Sequence, residues 1–235
     1  MKKIALKNAA RGTAFDYAGQ SWILLENDDG RALCLSKDII ETRAFDEGNC
    51  NNFAVASSKE YLNGAYLDNL LEDVNGPNAF LTTELDLTTD DGLKDYGTCT
   101  VTIFLLTVDQ YRRNRDVIPN ADDWWWLSTA FSTKSNGYES LARYVLTDGT
   151  LDWGGACFGS RPLRPAPRLL SGLRSPDLRR GRRSHRRRHA GARRRDHRGA
   201  GRAVRRHLRH RGSTDHGPLV YARHPESYPR EGGPA

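Results

Sequence analysis

All five tryptophans, all four cysteines and every isoleucine and phenylalanine of this chain fall within residues 1–160 of 235, so only that part has the material for a hydrophobic core. The same boundary divides the charge. Residues 1–160 carry 14 Lys and Arg against 24 Asp and Glu, a net −10, whereas residues 161–235 carry 22 Arg, no Lys and five acids, a net +17. The overall charge of +7 therefore describes neither part, and a folded basic domain is excluded as its source. Apolar residues make up 18 of the last 75, mostly Ala and Leu. Burying them would hardly offset roughly 1–2 kcal/mol of backbone entropy per ordered residue, so this stretch is expected to be disordered on its own. The expected organisation is an N-terminal segment 1–17, a globular body 18–160 and an Arg/His/Gly/Pro-rich tail 161–235.

Near the start, the apolar stretch Ile4 to Leu6 is broken by Lys7 and is too short for a signal-peptide core. No apolar run approaches the 18 or so residues that a membrane-crossing helix needs, so no membrane insertion is expected. Cys34, Cys50, Cys99 and Cys157 are far apart and form no CxxC pair, which reads as buried or free thiols rather than a zinc cluster or a disulfide framework.

Along the body, SWILLE (Ser21 to Glu26) and RALCLS (Arg31 to Ser36) flank Asn27, Asp28, Asp29 and Gly30. Asp-Gly supplies the positive φ that tight hairpin turns need, so the two runs predict a hairpin. A helical pattern begins at Ser57: Ser57 with Glu60 spells a capping box, and Leu62, Tyr66 and Leu70 recur on one face, with Gly64 expected to weaken or split the helix before Asn-Gly-Pro at 75–77 ends it. Leu85 to Leu87 predicts a short strand and Thr88 to Gly92 a polar turn.

VTIFLLTV (Val101 to Val108) predicts a buried strand, followed by a loop carrying the basic cluster Arg112, Arg113 and Arg115, which spacing alone reads as a solvated charged turn. Three consecutive tryptophans follow. On a strand, alternation would send Trp125 to one face and Trp124 and Trp126 to the other, placing at least one indole in the core and another near the surface. Tyr144 to Thr147 and Thr150 to Trp153 flank Asp148-Gly149 as a second hairpin, closed by Gly154 and Gly155. Short strands, one helical insertion and no regular βαβ alternation together predict an α+β fold with mainly antiparallel pairing.

YLNGAYL (Tyr61 to Leu67), IFLLT (Ile103 to Thr107), WWLST (Trp125 to Thr129) and YVLTDG (Tyr144 to Gly149), in this order over about residues 18–160, resemble an uncharacterised domain family of Firmicutes and their prophages with YLNG, FLLS, WWLRSP and RPAL-type motifs. That family is similar in turn to the C-type-lectin-like fold. The resemblance implies a lectin-like recognition domain in a phage tail fibre or bacterial surface protein, with a cell-surface glycan or protein as partner. Ser128 stands where the family has Arg, and Ala130 where it has Pro. Arg164, Pro165 and Ala166 match the start of the family's RPAL strand, but Pro167 replaces its leucine and arginines follow, so a fold using that strand centrally is expected to be left with an unpaired edge.

The tail admits two readings. Residues 161–235 contain no Lys, Asn, Gln, Ile, Phe, Met, Trp or Cys, the signature of GC-rich DNA translated out of frame, with a junction near Gly159 to Pro167. The alternative is a nucleic-acid-binding arm in which Arg182, Arg183, Arg186, Arg187, Arg188, Arg193, Arg194 and Arg195 neutralise phosphates. On either reading the charge predicts nonspecific polyanion binding.

Because no histidine precedes residue 161, the body cannot supply Ser-His-Asp or Cys-His catalysis or a His-based metal site. The carboxylate pairs Asp122/Asp123 and Asp148/Asp152 are the remaining acid–base candidates, and both have ordinary uses in turns. There is no P-loop or dinucleotide fingerprint, and the acidic turns at 27–30 and 86–92 do not match EF-hand spacing. The sequence thus predicts a non-enzymatic binding module without cofactor or metal, with contact candidates Trp124, Tyr138, Tyr144, Asp152, Trp153 and Phe158, since aromatics near loops offer rigid contact area at low entropy cost.

Overall fold

In the computed structural model of the chain the described residues are 6–74, 78–157 and 161–170. Strands β1 (Ala14–Tyr17), β2 (Gln20–Asp28) and β3 (Arg31–Ser36) form an antiparallel meander. Its second turn is the expected Asp-Gly hairpin, with Asp29 at φ 44° and Gly30 at φ 80°. After β4 (Glu41–Arg43) the chain enters α1 (Ser57–Asn63) and α2 (Ala65–Glu72), then β5 (Phe80–Leu81), β6 (Thr83–Asp86), β7 (Thr98–Val101) and β8 (Ile103–Leu105). Helix α3 (Val108–Asn114) leads to β9 (Trp125–Ala130), β10 (Leu141–Val145) and β11 (Leu151–Gly155), and β12 (Arg161–Leu163) and β13 (Pro165–Leu170) follow. Strands predominate and every pairing among the described residues is antiparallel, an α+β arrangement.

Helices α1 and α2 are split at Gly64, as its position suggested, and Leu62, Tyr66 and Leu70 are buried. The Ser57/Glu60 capping box is absent. Ser57 is the first helical residue; its N–H donates to Asp46 Oδ1 at 2.9 Å, and its hydroxyl accepts from the Glu47 N–H. Asn63, at the end of α1, ties the helix to the next sheet: its Nδ2 donates to the Ile103 carbonyl at 2.8 Å, and its Oδ1 accepts from the N–H groups of Thr102 and Ile103. An amide that donates and accepts along one strand fixes the helix against it at a single register.

Residues 101–108 are not one strand. Val101 ends β7, Ile103–Leu105 forms β8, and Thr107 caps α3 in a reciprocal capping box with Gln110. Arg112 and Arg113 therefore lie on a helix, not in a loop, and Arg115 is its C-terminal cap. Gly154 and Gly155, expected to close the second hairpin, instead belong to β11.

The larger departure is at the C-terminal side of the body. The main sheet has the order β1-β2-β3-β13-β5, so an interior strand, flanked by β3 and β5 and paired also with β8, consists of residues placed by composition in the tail. Arg168 and Leu169 lie between β3 and β5, and Pro165, Ala166 and Pro167 pair with Leu105, Phe104 and Ile103 of β8. The two prolines are compatible because N–H groups alternate along a strand. Ala166 presents its donor to β8, and the missing donors of Pro165 and Pro167 fall on the opposite edge. The boundary drawn at residue 160 thus falls ten residues short, and the expected unpaired edge is filled by this strand. Arg164 enters the interior because its charge is fully engaged: 1% exposed, it donates to the carbonyls of Ser36, Pro119 and Lys37 and lies 5.2 Å from the Trp125 ring centroid. Burial lowers its pKa to about 10, still well above neutrality.

A chain ending at residue 160 is expected to lose cooperative urea unfolding, and one ending at residue 170 to retain it. Arg164→Met, which strips donors from buried carbonyls, is expected to cost about 2–4 kcal/mol in the longer chain. Cooperative unfolding of the 160-residue form would contradict the interior placement of β13.

Candidate functional site

The sheet β11-β10-β9 brings most of the expected contact residues together, but on two faces. Tyr144 opposes Trp126 and Asp152 in register, while Arg143 opposes Trp153. Side chains alternate along β10, so the Tyr144 set and the Arg143 set project from opposite sides.

On the first face Tyr144 is 5% exposed, stacked on Trp124 at 5.6 Å with ring planes 3° apart and edge-on to Trp126 at 5.7 Å. Its hydroxyl donates to Asp152 Oδ2 at 3.1 Å. Trp125 goes the other way, against Tyr111 and Arg164. The alternation expected of the tryptophan run is therefore observed, with Trp125 and Trp126 buried and Trp124 half-buried. With its ring enclosed by two indoles, Tyr144 supports the sheet and offers no face to a ligand.

The second face carries the exposed aromatics. Trp153 is 47% and Tyr138 38% exposed, and both pack on Phe131, at 5.4 and 5.3 Å. Below them the Arg143 guanidinium sits 5.0 Å from the Phe131 centroid and is ion-paired to Asp90, which also holds Arg112 at 3.2 Å. The loop presenting Tyr138 is fixed from beneath. Buried Asn51 donates to the carbonyls of Ser132, Tyr138 and Leu141 and accepts from the Tyr96 hydroxyl at 2.6 Å. Asp95 accepts from the Ser135 and Thr133 hydroxyls, at 2.6 and 2.7 Å, and these two hydrogen bonds hold its carboxyl below the ordinary range. The position of the Tyr138 loop is thus held by hydrogen bonds within the fold.

Next to it, beyond Asp90, opens a cavity of about 420 Å³ lined by Glu84, Asp86, Thr88, Asp90, Arg112 and Arg168 among others. The cluster Arg112, Arg113 and Arg115 is spent on structure: Arg112 pairs with Asp90 and Asp109, Arg113 with Glu26, and Arg115 donates to the Ile118 carbonyl and Asn120 Oδ1. Among the described residues no three His, Cys, Asp or Glu converge as metal donors, and no helix is long and apolar enough to cross a membrane.

Of the expected residues, Trp153 and Tyr138 are brought together, Trp124, Tyr144 and Asp152 form a separate group on the opposite face, and Phe158 lies outside the described residues, as do Arg182, Arg183, Arg186, Arg187, Arg188, Arg193, Arg194 and Arg195. Phe131, Arg143, Asp90 and Arg168 had not been singled out. The signal for Arg143 was present, since it is the one charge in the strand LARYV. No family model, curated protein or solved structure matches the chain.

Because the folded-state pKa of Asp95 is depressed, its contribution to holding the Tyr138 loop is present above the ordinary carboxylate pKa and is lost as pH falls through the lower, folded value. In an NMR titration the Asp95 carboxyl is expected to protonate at lower pH in the wild type than in Thr133→Val; identical titrations would refute the hydroxyl contribution.

Proposed function

We propose that the folded body is a non-enzymatic recognition module for a cell-surface glycan, and that its contact surface is the second face of the β11-β10-β9 sheet. The observation that carries this reading is the exposure of Trp153 and Tyr138 on either side of Phe131. Adjoining exposed rings form an apolar patch of the kind that marks interaction surfaces, and pyranose faces present C–H groups that stack on indole and phenol rings. The polar cavity alongside suits the hydroxyls of such a ligand, because carboxylates and threonine hydroxyls accept or donate in several directions. Pre-fixing the Tyr138 loop through Asn51 and Asp95 reduces the ordering cost of binding. The motif resemblance to the prophage family, and its lectin-like analogy, point the same way and favour a phage or bacterial surface setting.

On this reading Tyr144, Asp152 and Trp124 hold the sheet and do not touch the ligand. The arginine-rich remainder has the composition of an unselected reading frame, and nonspecific polyanion affinity of the full chain is assigned to its charge.

Screening the full chain on a panel of bacterial surface oligosaccharides is expected to give binding that Trp153→Ala weakens about tenfold, with unchanged near-ultraviolet circular dichroism. Tyr144→Phe is expected to leave affinity unchanged. Glycan binding that survives Trp153→Ala and Tyr138→Ala together, or no glycan binding at all, would overturn the reading.

A further inference from the structure

The cavity beside the aromatic cluster contains one cation that the fold does not use. Asp90 is ion-paired to both Arg112 and Arg143, Arg112 also pairs with Asp109, and Arg113 is paired with Glu26. Arg168 lines the same cavity from strand β13; it is half-buried, and its guanidinium makes no hydrogen bond or ion pair with any described residue. A guanidinium partly withdrawn from water and left without an acceptor loses hydration without compensation, and its planar fork matches a carboxylate through two parallel hydrogen bonds. Around it stand carboxylates with spare acceptor capacity: among the described residues Glu84 has no ion-pair partner and Asp86 accepts only from Thr88, while the Thr83 and Thr129 hydroxyls, already bonded to the Leu81 carbonyl and the Val108 N–H, also line the wall. Hydroxyl groups of a ligand can donate to these carboxylates while an acidic group on the same ligand is held by Arg168.

We propose that this cavity takes a sugar bearing a carboxylate, a uronic-acid residue, whose acid group pairs with Arg168. The aromatic platform lies next to the cavity because Asp90 lines the cavity and pairs with Arg143, which sits over the Phe131 ring. One oligosaccharide can therefore stack a sugar on Trp153 and place its acidic neighbour against Arg168. The inference rests on the glycan reading above and adds the charge of the ligand to it. A free carboxylic acid shares the same anionic group, and the size of the cavity and its ring of hydroxyl partners favour the sugar.

The test measures binding of tri-galacturonate, its fully methyl-esterified counterpart and acetate to the full chain by calorimetry. The same is done for Arg168→Gln and Arg168→Lys, with folding checked by near-ultraviolet circular dichroism. All three proteins carry the remaining arginine-rich sequence unchanged, so its attraction for polyanions cancels between them. The wild type is expected to prefer the acid over the ester by at least about tenfold. Arg168→Gln is expected to remove most of that preference with ester binding unchanged, and Arg168→Lys, which keeps the charge but not the fork, to give an intermediate value. A preference unchanged in both variants would overturn the assignment of the carboxylate to Arg168. Acetate competing with tri-galacturonate at equal concentration, in an Arg168-dependent way, would overturn the sugar part. Ester binding lost in Trp153→Ala but indifferent to Arg168 would leave the glycan reading standing and reject only the acidic-sugar inference; no binding of acid or ester by the wild type would likewise reject that inference, and the glycan reading falls with it only if the oligosaccharide panel also gives no binding.

Discussion

A single buried guanidinium sets the constraint on which the rest of the body depends. Arg164 sits in the interior immediately before β13, and its donors reach the backbone at the end of β3 and at Pro119 in the segment before β9. A charge in that position is tolerated only when its donors are met, and here three carbonyls and the Trp125 ring meet them. With Arg164 anchored, β13 runs through the middle of the main sheet and closes it against β3, β5 and β8. The same Trp125 belongs to β9, the strand that leads into Phe131. The core contact that seats this interior strand thus also positions the sheet carrying the exposed aromatics.

The two faces of β11-β10-β9 divide the work. One is consolidated by Trp124 stacked on Tyr144 and Trp126 edge-on to it, with Asp152 accepting a hydrogen bond from the phenol hydroxyl. The other leaves Trp153 and Tyr138 open to solvent over Phe131 and Arg143. The period-two alternation of a strand separates the packed side from the exposed one, so residues adjacent in sequence, such as Asp152 and Trp153, have different surroundings, and the proposed contact surface uses only the exposed side. The polar cavity takes its position from this arrangement, because Asp90 connects it to the aromatic face through Arg143.

What was legible in the sequence follows from how local each signal is. The Asp29-Gly30 and Asp148-Gly149 turns, the apolar spacing of Leu62, Tyr66 and Leu70, and the alternation of the tryptophans depend on a few neighbouring residues, and all were readable. The Thr107/Gln110 capping box was also local, yet the branched and aromatic run before it read as one continuous strand. Strand β13 was not legible, because its prolines and Arg168, with Arg164 just before it, match the composition of the sequence after it, and only the carbonyls of Ser36, Lys37 and Pro119, far away in the chain, explain how Arg164 is buried. Within the candidate site, Trp153 and Tyr138 could be named from residue type and loop position. Phe131 and the Arg143–Asp90 pair depend on tertiary register, which no local pattern encodes.

The most direct test of the account is an indole NMR titration of uniformly 15N-labelled full-length protein with a bound oligosaccharide. Trp22 and Trp126 donate their indole N–H groups to the carbonyls of Tyr17 and Arg43, and Trp125 is enclosed in the core. The account predicts that the Trp153 indole resonance shifts progressively while those of Trp22, Trp125 and Trp126 stay in place. Movement of the core indoles with Trp153 unchanged would contradict it.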